Sequence, residues 1–181
     1  MSNNLLNNDI RNQLAAETYS DEITKSHIQK IIKSNSDFNT VPEFELYTRN
    51  NPKTGFDGYA IYFKDKSVNE VYFFARGTEV DSFEDLYTDA VGIAAGSNID
   101  QIRSANLLYN NVIRSIKKEN SSDKQTVKRL KIHGDGHSLG GNIITSVALK
   151  TGEFDSVRGL NVMHLSTCQD VYNIYSNIDK G

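Results

Sequence analysis

Residues 130–142 read Leu130-Lys131-Ile132-His133-Gly134-Asp135-Gly136-His137-Ser138-Leu139-Gly140-Gly141-Asn142. The apolar start, Leu130 to His133, predicts a short strand. Asn142 to Lys150, with Ile143, Val147 and Ala148 on one face, predicts a helix. Between them the chain has to bend abruptly after Ile132. Gly136 and Gly140 remove the side chains that would collide across so tight a turn, and Gly141 lets the following helix approach the strand. A serine at the centre of such a turn takes strained backbone angles, which push its Oγ away from the sheet edge. The N–H groups of the following helix, that of Leu139 first among them, then face the hydroxyl and any negative charge that develops there. A strand before and a helix after distinguish this pattern from a chance Gly-x-Ser-x-Gly match. Ser138 is therefore the candidate nucleophile, with His137 packed or locally hydrogen-bonded within the turn.

Upstream, the period changes twice. The segment from Asp9 to Tyr19 suits a helix capped by Asp9, and Ser20 or Asp21 suits the start of a second helix carrying Ile23, Ile28, Ile31 and Ile32. Phe44, Leu46 and Thr48 alternate with polar residues, as do Tyr59, Ile61 and Phe63, which predicts two strands separated by the turn-rich stretch 50–55. Val71 to Ala75 is apolar on both faces, as suits a strand inside a sheet, and the polar turn 64–66 before it makes a hairpin. Ile102, Ala105, Tyr109, Val112 and Ile116 recur at helical spacing. Leu160 to Leu165 predicts a further strand, and Val171 to Ile178 a helix. The alternation of strand and helix implies an α/β fold: a mostly parallel sheet flanked by helices, preceded by N-terminal helices and a β-hairpin. We divide the chain into an N-terminal helical segment, 1–37, and an α/β core, 38–181.

Bulk properties narrow the function. The 181 residues suit one domain, and the net charge of −3 argues against nucleic acid as a partner. The basic residues Lys117, Lys118 and 124–131 read as a solvated helix end and loop. The single cysteine, Cys168, permits neither an internal disulfide nor a cysteine-rich zinc site. No integral membrane segment is legible, and the Asn-rich start lacks the pattern of a signal peptide. A cytoplasmic location is the default expectation, with export by a signal-less route as the alternative.

The run Gly136-His137-Ser138-Leu139-Gly140-Gly141 resembles the signature of the class 3 lipases and their lipase-like bacterial relatives. Phe74-Ala75-Arg76-Gly77-Thr78, followed by Asp85-Leu86-Tyr87-Thr88-Asp89, resembles that family's second motif. Here Ala75 intrudes between Phe74 and Arg76, and Leu86 stands where the family often has Trp. The two motifs occur in the family's order with one long helix between them, and the resemblance spans roughly residues 40–165. It implies an α/β-hydrolase core and a serine hydrolase of carboxylic esters, lipid esters included, without metal or organic cofactor. Ser138 would be the nucleophile, and Thr78 and Leu139 the oxyanion donors. Arg76 and Gly77 would shape the strand-end turn, and Asp85 and Asp89 would brace the long helix.

The family's acid and histidine follow later strands. By strand counting both fall beyond Gly181, so the resemblance implies an incomplete, C-terminally truncated hydrolase core with an exposed sheet edge and marginal stability. Within the chain, His164 is the one histidine after Ser138, and Asp170 the weak candidate for the acid. His133 and His27 are poorer bases, and Asp135 reads as a residue that satisfies loop N–H groups. Two other readings stand beside the ester hydrolase: a non-catalytic hydrolase remnant acting as a binding or interaction module, and an acyl transferase sharing the same nucleophile.

Overall fold

A computed structural model describes residues 4–34, 40–64, 68–77, 86–122 and 129–160, with residues 86–98 and 122 described as backbone only. Over these residues the elements run α1 (Asn8–Glu17), α2 (Lys25–Ser34), β1 (Phe44–Asn51), β2 (Phe56–Lys64), β3 (Asn69–Ala75), α3 (Leu86–Ser122), β4 (Lys131–His137), α4 (Leu139–Thr151) and β5 (Ser156–Leu160). The five strands form one sheet in the order β1-β2-β3-β4-β5. The pairs β1/β2 and β2/β3 are antiparallel, whereas β3/β4 and β4/β5 are parallel. The sheet is thus mixed rather than mostly parallel. The two hairpin pairings use short connections, and the parallel pairings use α3 and α4 as crossovers.

Both faces of the sheet are covered, which explains why β3 is buried along its whole length and apolar from Val71 to Ala75. Ala60, Tyr62, Val71, Phe73 and Ala75 face α3 and α4, where Ile102, Ala105, Tyr109, Val112, Ile116, Ile143 and Val147 complete one core. The alternate residues Tyr59, Ile61, Phe63, Tyr72 and Phe74 meet Leu6, Ile10, Leu14, Ile28 and Ile32 in a second core. The period of two along each strand assigns the layers. Leu6, Ile10 and Leu14 are each at most 1% exposed, and burying each contributes about 2 kcal/mol. Leu6 and the α1 residues Ile10 and Leu14 thus seat the N-terminal segment on the sheet as a cover.

Three local expectations change. Asn7, not Asp9, caps α1, its side-chain oxygen accepting from the Ile10 N–H at 2.9 Å. Thr24 starts α2, its hydroxyl accepting from the His27 N–H. β5 is Ser156–Leu160, earlier than the strand expected at Leu160 to Leu165; residues beyond Leu160, with the expected helix from Val171, lie outside the described region. Asp155 sets where β5 starts: it exchanges two hydrogen bonds with Ile132, its N–H donating to the Ile132 carbonyl and its carboxylate accepting from the Ile132 N–H.

β4 also runs further than its sequence suggests. Its residues alternate glycine against polar side chains, and each set has a separate task. Gly134 faces α4, where a Cβ would lie 2.4 Å from Ile144 Cγ2. His133 and Asp135 face α1 and are buried, 1% and 0% exposed. Asp135 does not serve loop N–H groups; it accepts from Arg11 Nε of α1 at 2.8 Å, and Arg158 lies 3.7 Å away. Burial pushes its carboxyl pKa up, and the Arg11 charge opposes that rise. A buried pair of this kind adds little net stability, but losing one partner costs about 3–5 kcal/mol because the other charge is stranded. Its consequence here is registration: Arg11 can sit inside only where Asp135 lies opposite.

His133 stacks on Tyr72, ring centroids 4.6 Å apart, and its Nδ1 shares a 2.8 Å hydrogen bond with the Ser156 hydroxyl. Burial, then the nearby Arg11 charge, drives its pKa from 6.5 down to about 4; Glu70 and Asp155 pull the other way, and Lys131 adds to the fall. The folded protein therefore binds fewer protons than the unfolded chain between these values. Stability is fully present above pH 6.5 and is lost as pH falls through that window toward 4, by up to about 3 kcal/mol. Chemical denaturation of the wild type and His133→Gln across pH 4–7 tests this. The wild-type slope is expected to be steeper; equal slopes would contradict the burial of a neutral imidazole.

Candidate active site

The turn after β4 comes at Ser138, several residues later than the bend expected after Ile132. Ser138 has φ 53° and ψ −126°, the positive-φ backbone of a non-glycine residue. Such a conformation costs about 1–3 kcal/mol and persists only where the surroundings enforce it. Two backbone hydrogen bonds do so: Ser138 N–H donates to the Leu160 carbonyl at 2.7 Å, and Gly141 N–H donates to the Ser138 carbonyl at 3.0 Å. The first ties the turn to the end of β5, and the second closes the first turn of α4.

Glycines wall the turn on three sides. A Cβ on Gly136 would lie 2.2 Å from the Gly140 carbonyl carbon, and one on Gly140 would lie 2.1 Å from the Ala75 oxygen. A Cβ on Gly77 would meet His137 O at 2.7 Å, Leu139 N at 2.8 Å and Ser138 Cβ at 3.1 Å. No side chain fits at such distances from backbone. The carboxyl tip of β3 is therefore pressed against the serine turn, bringing Ala75 to Gly77 of the second motif beside it. His137, Ser138 and Leu139 are half-buried, and Gly140 and Gly141 are buried at the start of α4.

The other candidates separate. The His137 ring turns toward the end of α1, where its Nδ1 and the Tyr19 hydroxyl share a 2.9 Å hydrogen bond. His133 is enclosed beneath α1 as described, and exposed His27 lies 3.5 Å from Glu17. Thr78, Asp85, His164, Cys168 and Asp170 lie outside the described residues, and Asp89 falls where α3 is described as backbone only. Arg76, just before Gly77, lies 3.6 Å from the Asp57 carboxylate and 5.0 Å from the centroid of the Tyr19 ring. An open groove of about 540 Å³ runs along the outer edge of β1, between Lys25, Glu43, Tyr47, Lys64 and Glu119. It is on the strand farthest from β4 on that side of the sheet and holds no residue of the serine turn.

Two residues near this region escape a reading of the sequence. Arg11 could have been suspected, because it shares an apolar stripe with Ile10, Leu14 and Ala15, and a charge there needs a buried partner. Tyr19 carries no signal, since its role depends on where the end of α1 meets the sheet.

Fold and turn together define an α/β protein that presents a serine on a strained strand-to-helix bend. The family model of the domain of unknown function DUF6792 matches residues 6–177, and the chain belongs to that family. Searches of curated proteins and of solved structures found no match to it. Among the described residues, no helix is long and apolar enough to cross a membrane.

If Ser138 is held in a conformation meant for glycine, removing its Cβ relieves strain while shortening the side chain to alanine does not. Ser138→Gly is expected to melt about 2–4 °C above Ser138→Ala, corresponding to about 1 kcal/mol. A thermal melt of the two variants side by side checks this; a glycine variant no more stable than the alanine variant would show an unstrained turn.

Proposed function

We propose that Ser138 is the nucleophile of a lipase-like serine hydrolase, with carboxylic esters, lipid esters among them, as the substrate class. The observation that carries this reading is the positive φ of Ser138, in a turn where Gly77, Gly136 and Gly140 allow backbone approaches that no side chain would. Non-glycine residues held at positive φ cluster at active sites, where the strain is part of the mechanism. Strain at that position serves to present Oγ. The parallel strands β3, β4 and β5, with α3 and α4 as crossovers, are the arrangement expected of an α/β-hydrolase core. The motif resemblance to class 3 lipases supports the same assignment.

In the reaction, Oγ attacks the ester carbonyl carbon and its proton passes to a base. The carbonyl oxygen becomes an oxyanion beside the Leu139 N–H at the start of α4, with Thr78 as the second donor on the strength of the motif match. Collapse of this intermediate releases the alcohol, which takes up the proton, and leaves an acyl-serine. Water then attacks the acyl carbon, releasing the carboxylic acid and restoring the hydroxyl. The base is assigned to neither His133 nor His137, because both imidazoles are engaged away from Ser138. His164 and Asp170 stay the in-chain candidates for base and acid.

The test is reaction of the whole chain with a fluorophosphonate probe and with a short-chain nitrophenyl ester, beside Ser138→Ala. The expected result is one covalent label on Ser138 and ester turnover that falls by about a thousandfold or more in the variant. Equal, negligible labelling of both proteins would overturn the hydrolase and favour a binding module built on the same turn.

A further inference from the structure

The N-terminal cover does more than bury the sheet. Tyr19 lies in the turn after α1, where its N–H donates to the Ala16 carbonyl at 3.1 Å and the adjoining Thr18 hydroxyl donates to the Ala15 carbonyl at 2.7 Å. Thr18 is 1% exposed, so this turn is anchored in the core. From there the Tyr19 hydroxyl reaches His137 Nδ1, and the two rings meet edge to face at 5.4 Å. The Arg76 guanidinium lies over the other aromatic ring of this set, that of Tyr19, at 5.0 Å. Arg76 is itself held by its N–H, which donates to the Asp57 carbonyl at 2.9 Å.

The positions of these two contacts matter. His137 immediately precedes Ser138 in β4. Arg76 immediately precedes Gly77, whose backbone touches Ser138 and Leu139. One side chain thus bridges the tips of the two parallel strands that form the serine turn, each at the residue before the contact. A bond to His137 limits rotation about the backbone that leads into Ser138, and the strained angles there tolerate little drift.

We propose that Tyr19 is a positioning residue for Ser138: through His137 and Arg76 it clamps the tips of β4 and β3 so that Oγ stays presented. The proposal rests on the reading of Ser138 as a nucleophile, but its structural half is independent of that reading. Tyr19→Phe keeps the ring against Arg76 and loses the bond to His137. Tyr19→Ala loses both contacts.

The experiment combines two readouts on the full chain, wild type beside both variants. The first is the rate of fluorophosphonate labelling against probe concentration. The maximal rate is expected to fall about fivefold in Tyr19→Phe and further in Tyr19→Ala, with the half-saturating concentration unchanged. The second is amide hydrogen exchange, expected to quicken about fivefold or more in peptides covering 133–141, with α3 unaffected. An unchanged maximal rate, or a change confined to the half-saturating concentration, overturns the positioning role. Uniformly faster exchange across the chain in Tyr19→Phe also overturns it, since that marks a general packing loss. If the wild type itself shows no Ser138-dependent labelling, the nucleophile falls, and exchange at 133–141 alone decides the clamp.

Discussion

The arrangement depends on one backbone constraint, the positive φ of Ser138 between β4 and α4. Among the described residues, glycines and backbone atoms pack close around that turn. Gly136 lies under the first turn of α4, Gly140 against the end of β3, and Gly77 against the turn itself. A Cβ at any of the three would sit within 2.7 Å of a neighbouring backbone atom. The bend is therefore not a flexible loop that happens to contain a serine. It is a turn whose close backbone approaches only glycine allows at positions 77, 136 and 140, and α4 starts directly after it at Leu139.

The second face of the sheet shows how a polar strand can be central. β4 sends His133, Asp135 and His137 toward α1, and each finds a partner: Ser156, Arg11 and Tyr19. Glu70 closes the same layer. Burial would raise its carboxyl pKa, but donation from Tyr72, the Leu5 N–H and Lys131 outweighs burial and holds it below the usual value. These contacts fix α1 in register against β4, and through Tyr19 they extend the N-terminal segment to the rim of the serine turn. Cover and candidate site are thus one structure, although the sequence separates them by more than a hundred residues.

The helices and hairpins were legible because their signals are local. Alternation in 44–48 and the three-and-four spacing in 102–116 each reflect one buried face, whereas 59–63 is buried on both, with Ala60 and Tyr62 in one core and Tyr59, Ile61 and Phe63 in the other. The serine turn was legible for another reason: its glycines answer steric demands that few other turns impose. What stayed hidden was set by contacts across the fold. Gly134-Asp135-Gly136 reads as a loop in sequence but is strand, because the glycines admit α4 while Asp135 meets Arg11. β5 reads as half polar because Arg158 turns back to Asp135 and to Asn8. Asn7 outcompetes Asp9 as the cap of α1, a choice between neighbours that composition does not rank.

The most direct measurement of the central claim is a crystal structure of the chain after reaction with an alkyl phosphonate ester. The account predicts phosphorus bonded to Ser138 Oγ, a Ser138 φ near +50°, and a phosphonyl oxygen accepting from the Leu139 N–H. A Ser138 backbone in the ordinary helical or extended region, or an adduct oxygen turned away from Leu139, would contradict it.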